Sequence, residues 1–425
     1  MSADISIDFC GVRLKNPFLL AASPATSNSE RIKKAARAGW AGVVTTTVWA
    51  RPMESKIVKH PRPNFWIKGD MLHDRDHLQM FAFQNIGSSL ENERWIRKEM
   101  KNLKEVRIPV AGSIMGSKLD DWPKLAHVME NAGADMIEAN VSCPYLEPSP
   151  ASANVLHHRI VQRLIGQDPG LTREVVKLTK EGCNIPVMVK LPGGITPSTL
   201  TEVATAAEKA GADAISVTNT ILGLLGIDIE TGIPIPALEN KQGKPETIFS
   251  GISGPAIGPI ALRCVAQICA CVKVPVSGIG GVTDWKSAVE FIMVGAKTVQ
   301  CATAPILFGY EIVQNIISKL QSFMKRKGYA SVEDFRGISL KHLSYFSNLK
   351  QEPQLKARVN AARCTACAKC ITACDTGGNS AIKIDSKGQT NKKKQFKAIR
   401  IFEEQCCGCG LCALVCPEGA ISLIN

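Results

Sequence analysis

The sequence has no stretch approaching 18 uninterrupted apolar residues, so no membrane-spanning helix is expected. Its first residues, Met1-Ser-Ala-Asp-Ile-Ser-Ile-Asp, lack the basic segment and apolar run of a secretory leader, and the expected compartment is a reducing cytoplasm. No Gly-x-Gly-x-x-Gly follows a strand-like run, so no dinucleotide-binding half is expected and NAD(P)H should be oxidised elsewhere. Acidic residues are in deficit: 38 Asp and Glu stand against 51 Lys and Arg, a formal charge of +13. The basic residues are spread along the chain without an aromatic-interleaved motif, which argues against nucleic acid as a partner. The run Lys392-Lys393-Lys394 reads as a solvated loop or, alternatively, as a docking surface for an acidic redox partner.

Cysteine, by contrast, is abundant. Two runs near the end, Cys364-x2-Cys367-x2-Cys370-x3-Cys374 and Cys406-x2-Cys409-x2-Cys412-x3-Cys416-Pro417, have the spacing of two bacterial-type [4Fe–4S] clusters. In that pattern the fourth Cys of each run serves the other cluster. One cluster then takes Cys364, Cys367, Cys370 and Cys416, and the second takes Cys406, Cys409, Cys412 and Cys374. Zinc sites use a different spacing, and disulfide frameworks belong to small secreted chains. Cys407 is a spare in the second run. Cys10, Cys183, Cys264, Cys269, Cys271 and Cys301 are scattered and expected to be small apolar residues, most of them buried. Each cluster with four thiolates carries about −2, which offsets part of the basic excess.

A tail of roughly 65 residues for the clusters leaves about 360, enough for one large domain. Short β-branched runs recur there: Phe18–Ala22, Val43–Thr47, Pro109–Met115, Met136–Val141, Pro186–Leu191, Ala214–Thr218, Val274–Gly278 and Thr298–Thr303. Helical periodicity fills the intervals, as in Glu30–Ala38, Leu119–Asn131, Leu171–Glu181, Thr201–Ala210, Ile257–Val272 and Trp285–Val294. Four units end alike, with Gly39, Gly133, Gly211 or Gly295 where a helix should stop in the left-handed conformation. Alternating strands and helices imply a parallel sheet: a (β/α)8 TIM barrel, with a doubly wound open sheet as the alternative. The expected organisation is a barrel over 1–340, a linker over 341–359 and a ferredoxin-like domain over 360–425. Two long insertions, 50–100 and 221–253, read as lids or partner contacts.

Barrel chemistry collects at the C-terminal ends of the strands. These ends carry Ala22-Ser23, Thr46-Thr47, Ser113, Asn140-Val141-Ser142-Cys143-Pro144, Lys190, Thr218-Asn219-Thr220, Ser277-Gly278-Ile279-Gly280-Gly281 and Cys301-Ala302-Thr303. A Gly-rich turn after the seventh strand is a customary phosphate cradle, or else an ordinary tight turn. Clusters pass single electrons whereas carbon reduction takes two, so a flavin is the economical go-between and FMN is the expected cofactor.

The set Asn140-Val-Ser-Cys143-Pro, Val189-Lys190-Leu191, Thr218-Asn219-Thr220, Ser253-Gly254-x-Ala256, Gly278-x-Gly280-Gly281 and Gln300-Cys301, followed by the paired Cys runs, resembles the FMN and iron–sulfur portion of dihydropyrimidine dehydrogenases. The bacterial form, in which that portion is a separate subunit, is the nearer likeness, and the barrel half also resembles dihydroorotate dehydrogenases. The resemblance implies that Cys143, on a loop after the fourth strand, protonates the substrate carbon. It implies that Asn85, Asn140, Asn219 and Thr220 hydrogen-bond a pyrimidine ring, that Lys190 reaches the flavin ring, and that Gly254, Gly280, Gly281, Cys301 and Ala302 wrap the phosphate. Ala22, Ser23, Thr46, Thr47, Asn140, Ser277 and Gly278 complete the expected flavin-binding set. It further implies reduction of the C5=C6 bond of uracil or thymine, or the reverse, in an oligomer fed by an NAD(P)H-oxidising FAD and iron–sulfur subunit or by a ferredoxin.

Departures from the pattern bear on the substrate. Thr46 stands where these enzymes usually have a Lys near the flavin, and Gly87 where pyrimidine reductases usually have a substrate-facing Glu. Tyr145 replaces the second Asn typical of dihydroorotate dehydrogenases, which argues against orotate. Another cyclic amide or conjugated carbonyl is therefore an alternative substrate. An electron-transfer subunit without its own substrate is a second alternative, which intact Asn140 and Cys143 speak against, since a relay needs no proton donor.

Overall fold

The computed structural model describes residues 4–49, 65–68, 80–83, 96–103, 106, 108–116, 118–142, 165–235, 237–239, 242–246, 249–349, 355–384 and 399–424. The candidates Asn85, Gly87, Cys143, Pro144 and Tyr145 and the run 392–394 lie outside them. Eight parallel strands follow one another along the chain: β1 (Phe18–Leu20), β2 (Gly42–Val44), β3 (Val110–Met115), β4 (Met136–Asn140), β5 (Val187–Leu191), β6 (Ala214–Val217), β7 (Val276–Ile279) and β8 (Thr298–Cys301). Each pairs with its neighbours in sequence, β8 returns to β1, and β2 bonds both β1 and β3, so the sheet closes into a ring. The eight expected strands are all present, and the barrel rather than the open sheet is formed.

Helices cross back outside the ring: α1 (Ser29–Ala38), α2 (Asp121–Asn131), α3 (Pro169–Glu181), α4 (Pro197–Lys209), α5 (Gly258–Cys271), α6 (Trp285–Met293), α7 (Thr303–Phe308) and α8 (Ile312–Lys327). Their starts are written locally. Asp168 accepts from Gly170 N and Leu171 N at 2.8 and 3.1 Å, with Pro169 preset for the first turn of α3. Asp284 and Ser287 satisfy each other's backbone N–H at the head of α6. The four junction glycines take the left-handed conformation expected of them, with φ from +96° to +112°. Strand residues such as Val187, Val189 and Leu191 are fully buried, each worth about 1.5–3 kcal/mol of transfer free energy. Cys183, Cys264 and Cys301 are buried and Cys10, Cys269 and Cys271 half-buried.

The two insertions, read separately from the sequence, fold together. Ile221–Gly223, Ser250–Ser253, Met80–Phe83 and Phe65–Lys68 form one four-stranded antiparallel sheet in that order.

The chain divides into two compact units, Met1–His342 and Leu343–Asn425. In the second, β9 (Lys356–Val359) pairs antiparallel with β12 (Ile421–Ile424), and β10 (Ile382–Ile384) with β11 (Ile399–Ile401). Residues 356–359, expected within the linker, are thus a strand, because Ala357 is drawn into the core of the second unit. Of two helices here, α9 (Lys369–Thr376) carries Cys370 and Cys374, and α10 (Leu411–Leu414) carries Cys412. Among the described residues no helix is long and apolar enough to cross a membrane.

Gly278 sits where β7 meets α6. A Cβ there would lie 2.4 Å from Phe291 Cδ1, so the glycine lets the helix approach the strand. Gly278→Ala should cost about 1–3 kcal/mol by overpacking, read as a lower urea midpoint, and Phe291→Leu should restore part of it. A midpoint unchanged by Gly278→Ala would contradict this packing.

Candidate active site

The strand ends open on one cavity of about 1020 Å³, its mouth included. Of the residues singled out in the sequence, Ala22, Ser23, Thr46, Thr47, Asn140, Lys190, Asn219, Thr220, Gly254, Gly280, Gly281, Cys301 and Ala302 line it. Ser277 and Gly278 do not line it. Ser277 is fully buried and accepts from Thr298 Oγ1 at 2.6 Å and Gln300 Nε2 at 2.9 Å, inside the barrel.

Two amides from different strands meet at Ser142. Asn140 Oδ1 accepts from the Ser142 N–H at 3.1 Å and its hydroxyl at 2.9 Å, while Asn140 Nδ2 donates to Thr47 Oγ1 at 3.1 Å. Asn219 Nδ2 donates to the Ser142 carbonyl and hydroxyl, both at 3.1 Å, and Asn219 Oδ1 accepts from Thr220 N at 2.9 Å. Backbone N–H groups only donate, so the orientation of both amides is fixed. Counting sites, Asn140 retains one N–H donor and Asn219 one lone pair on Oδ1. Both residues line the cavity, so these two amides bring one unused donor and one unused acceptor to its wall.

Charge at the cavity is asymmetric. No carboxylate is among its described lining residues, and Lys190 is the one cation there. Lys190 is nearly fully buried, and its Nζ lies 3.7 Å from Glu138 Oε1, a fully buried carboxylate one strand away. Glu138 also accepts the hydroxyls of Ser113 at 3.1 Å and Ser216 at 3.2 Å. Isolated ions at this depth would each cost several kcal/mol, which the pair and its hydroxyls offset. Cys301 lines the cavity, but burial pushes its thiol up to about 12, so it is a packed neutral group rather than a nucleophile.

In the second unit the cysteines fall into groups. Cys374, Cys406, Cys409 and Cys412 line one cavity of about 310 Å³, together with the spare Cys407. Burial, and then the neighbouring thiols of Cys406, Cys409 and Cys374, raise the pKa of Cys412. For Cys370 the causes are again burial first, with Cys364 and Cys367 contributing. Backbone N–H groups point at four sulfurs: Ala357 at Cys406 (3.4 Å), Ala366 at Cys364 (3.4 Å), Ala381 at Cys374 (3.3 Å) and Ala420 at Cys416 (3.2 Å). N–H donors aimed at ligand sulfurs are among the contacts that tune iron–sulfur clusters. Among the described residues no three His, Cys, Asp or Glu groups converge closely enough to chelate a single ion. A cube of iron and sulfide keeps its four thiolates further apart than one ion does.

The sequence of residues 4–324 matches the family profile of dihydroorotate dehydrogenase. The chain belongs to the dihydroorotate dehydrogenase family. Residues 357–423 match a 4Fe-4S dicluster domain in addition. The NAD-dependent dihydropyrimidine dehydrogenase subunit PreA of Escherichia coli K12 is 31% identical over 100% of this chain and 96% of its own length. The catalytic subunits of dihydroorotate dehydrogenase B (NAD(+)) from Methanothermobacter thermautotrophicus and Pyrococcus abyssi are 32% and 33% identical, each over 79% of this chain and 98% and 99% of their own. The protein is an oxidoreductase of this flavin-binding family, carrying an iron–sulfur domain.

The barrel residues fit a flavin. Gly254, Gly280 and Gly281 have φ of +78°, +123° and +80°. A Cβ on Gly281 would come 2.5 Å from Gly258 Cα, and one on Gly280 would come 2.8 Å from Ala261 Cβ, so the turn packs backbone against the start of α5. That start has no side-chain cap, which leaves its N–H groups and positive dipole end for an anion such as a flavin phosphate. Gln300 lines the cavity, and its Oε1 is buried and has no hydrogen-bond partner among the described residues, an acceptor suited to a hydroxyl or N–H of a bound group. Sequence reasoning passed over Glu138, and it quoted Ser142 and Gln300 only within motifs, without a role. The available signal for Glu138 was a carboxylate in mid-strand between apolar residues, which demands a buried cation.

Replacing Gly280 tests the cradle. Gly280→Glu puts a carboxylate and a Cβ into the phosphate position and should yield folded protein without flavin, seen as loss of the visible flavin bands with the iron–sulfur absorption retained. Full flavin occupancy in Gly280→Glu would show that the phosphate lies elsewhere.

Proposed function

We propose that the chain reduces the C5=C6 bond of a pyrimidine base such as uracil or thymine, or runs the reverse reaction, using FMN in the barrel and two [4Fe–4S] clusters in the second unit. The carrying observation is that Asn140 and Asn219, both on the cavity wall, leave one donor and one acceptor unused, a match for the adjacent C=O and N–H of a cyclic ureide. The full-length likeness to a relative named as a dihydropyrimidine dehydrogenase subunit supports the substrate class. Its being a subunit supports a partner, an NAD(P)H-oxidising FAD and iron–sulfur protein or a ferredoxin, with the assembly in the cytoplasm.

FMN held in the cavity would supply hydride chemistry to a ring carbon and an acceptor for single electrons. Asn85, Asn140, Asn219 and Thr220 hold the ring in place. Cys143 donates its thiol proton to the neighbouring carbon; an unperturbed thiol, with a pKa near 8.5, is mostly protonated at neutral pH and suits a general acid. Gly254, Gly280, Gly281, Cys301 and Ala302 hold the phosphate, Lys190 faces the ring, and Ala22, Ser23, Thr46 and Thr47 shape its bed. The grouping of Cys374 with the second run supports a crossed ligand set, with Cys416 completing the first.

A second reading keeps the chemistry and changes the substrate to another cyclic amide or conjugated carbonyl. It is favoured by Thr46, which is buried on the cavity wall and brings no charge there. Offering uracil, thymine and a panel of unsaturated heterocycles to the chemically reduced protein separates the two: reoxidation of the flavin by the pyrimidines is expected, and reoxidation only by another compound would replace them.

Two substitutions test the assigned roles. Cys143→Ser should leave flavin content and its reduction through the clusters intact while slowing substrate reduction about 10²–10⁴-fold. Unchanged substrate reduction, measured where that step limits the rate, would remove Cys143 from the mechanism. Cys374→Ala should lower iron from about eight atoms per chain toward about four and remove the cluster of the second run; loss of the first-run cluster instead would refute the crossing.

A further inference from the structure

Glu138 is a buried charge to which the chemistry above gives no part. It stands in the middle of β4, fully buried, and does not line the cavity, whereas Lys190, to which it is paired at 3.7 Å, does. The two carboxylate oxygens are divided between neighbours: Oε1 takes the ammonium and the Ser113 hydroxyl, and Oε2 takes the Ser216 hydroxyl. Ser113 is in turn bonded to Thr47 at 2.9 Å, and Thr47 to Asn140, so the carboxylate is tied by hydroxyls to the amides at the rim. Packing alone does not call for a carboxylate here, since an apolar residue would fill the space at no electrostatic cost.

The pair makes the cavity floor neutral overall while aiming its positive end at the cavity. A buried Lys190 without Glu138 would instead present an unbalanced cation to any bound group. We infer that Glu138 is a positioning residue that fixes the Lys190 ammonium and offsets its charge, and thereby holds the reduction potential of the bound flavin below the value Lys190 alone would set. The inference rests on the reading of Lys190 as the cation at the flavin ring. Charge near the N1 side of a flavin tunes its potential, because reduction builds negative charge there.

Glu138→Gln keeps the shape and one accepting oxygen, removes the charge, and turns the other oxygen into an N–H donor that a neighbouring serine hydroxyl can accept. In the full, flavin-loaded chain its flavin potential, measured by dye-referenced spectral titration, should move to a more positive value than wild type. Lys190→Met should move it to a more negative value. In the Lys190→Met background, Glu138→Gln should then change it little, because the carboxylate acts through the ammonium. A merely structural Glu138 would lower flavin content or thermal stability and leave the potential of the loaded protein where it was. An unmoved or more negative potential in loaded Glu138→Gln overturns the inference, as does an equal shift with Lys190 absent. If Glu138→Gln does not accumulate, Glu138→Asp withdraws the charge by one methylene and should give a smaller positive shift, and no shift overturns it. Wild-type protein purified without flavin would instead refute the reading on which the inference rests.

Discussion

Everything in the first unit depends on the closure of its sheet. Val43 N bonds to Pro109 O at 3.0 Å and Thr45 N to Ala111 O at 2.9 Å, which joins β2 to β3 while β1 holds the other edge of β2. Closure leaves no open edge, and because all eight strands are parallel it brings every C-terminal end to one rim. Residues as distant in sequence as Ala22, Asn140, Lys190, Asn219 and Cys301 thereby share a single cavity. The site is a consequence of topology first and of side-chain chemistry second.

Below the rim, the interior is not the apolar filling that strand patterning alone would suggest. Ser113, Glu138, Lys190, Ser216, Ser277, Thr298 and Gln300 are all buried inside the ring. Their hydrogen bonds run from strand to strand, so the polar groups are satisfied by one another. Half-satisfied, such a band would weaken the barrel; Gln300 Oε1 is the single buried side-chain atom without a partner among the described residues, and it faces the cavity.

Much of this was legible in the sequence, for physical reasons. β-branched runs, helical periodicity and junction glycines each act locally, so the eight strands and the six helices read from periodicity appear where expected. The strand-end residues followed from the rule that chemistry gathers at the C-terminal rim. Pairings across long stretches of chain were not legible. Glu138 and Lys190 lie on adjacent strands but are separated by a whole helix, and periodicity treats each as an interruption. Ser277 and Gly278, read as a strand end, lie inside β7, where Ser277 joins the hydrogen bonds of the barrel interior and Gly278 makes room for Phe291. The last strand of the linker region was hidden by its length: four residues with one buried side chain, Ala357, carry little pattern.

The antiparallel sheet built from the two insertions sets a condition on assembly. Phe83 pairs with Gly251 and Phe81 with Ser253, partners roughly 170 residues apart along the chain. Loop closure over that distance has a cost that local contacts do not share, so the two halves of the sheet gain nothing from each other until β3 through β6 hold them near. During synthesis the first insertion leaves the ribosome well before its partner strands exist. The barrel wall can therefore form before this sheet, and a chain truncated before residue 250 could build part of the ring but could not complete the sheet.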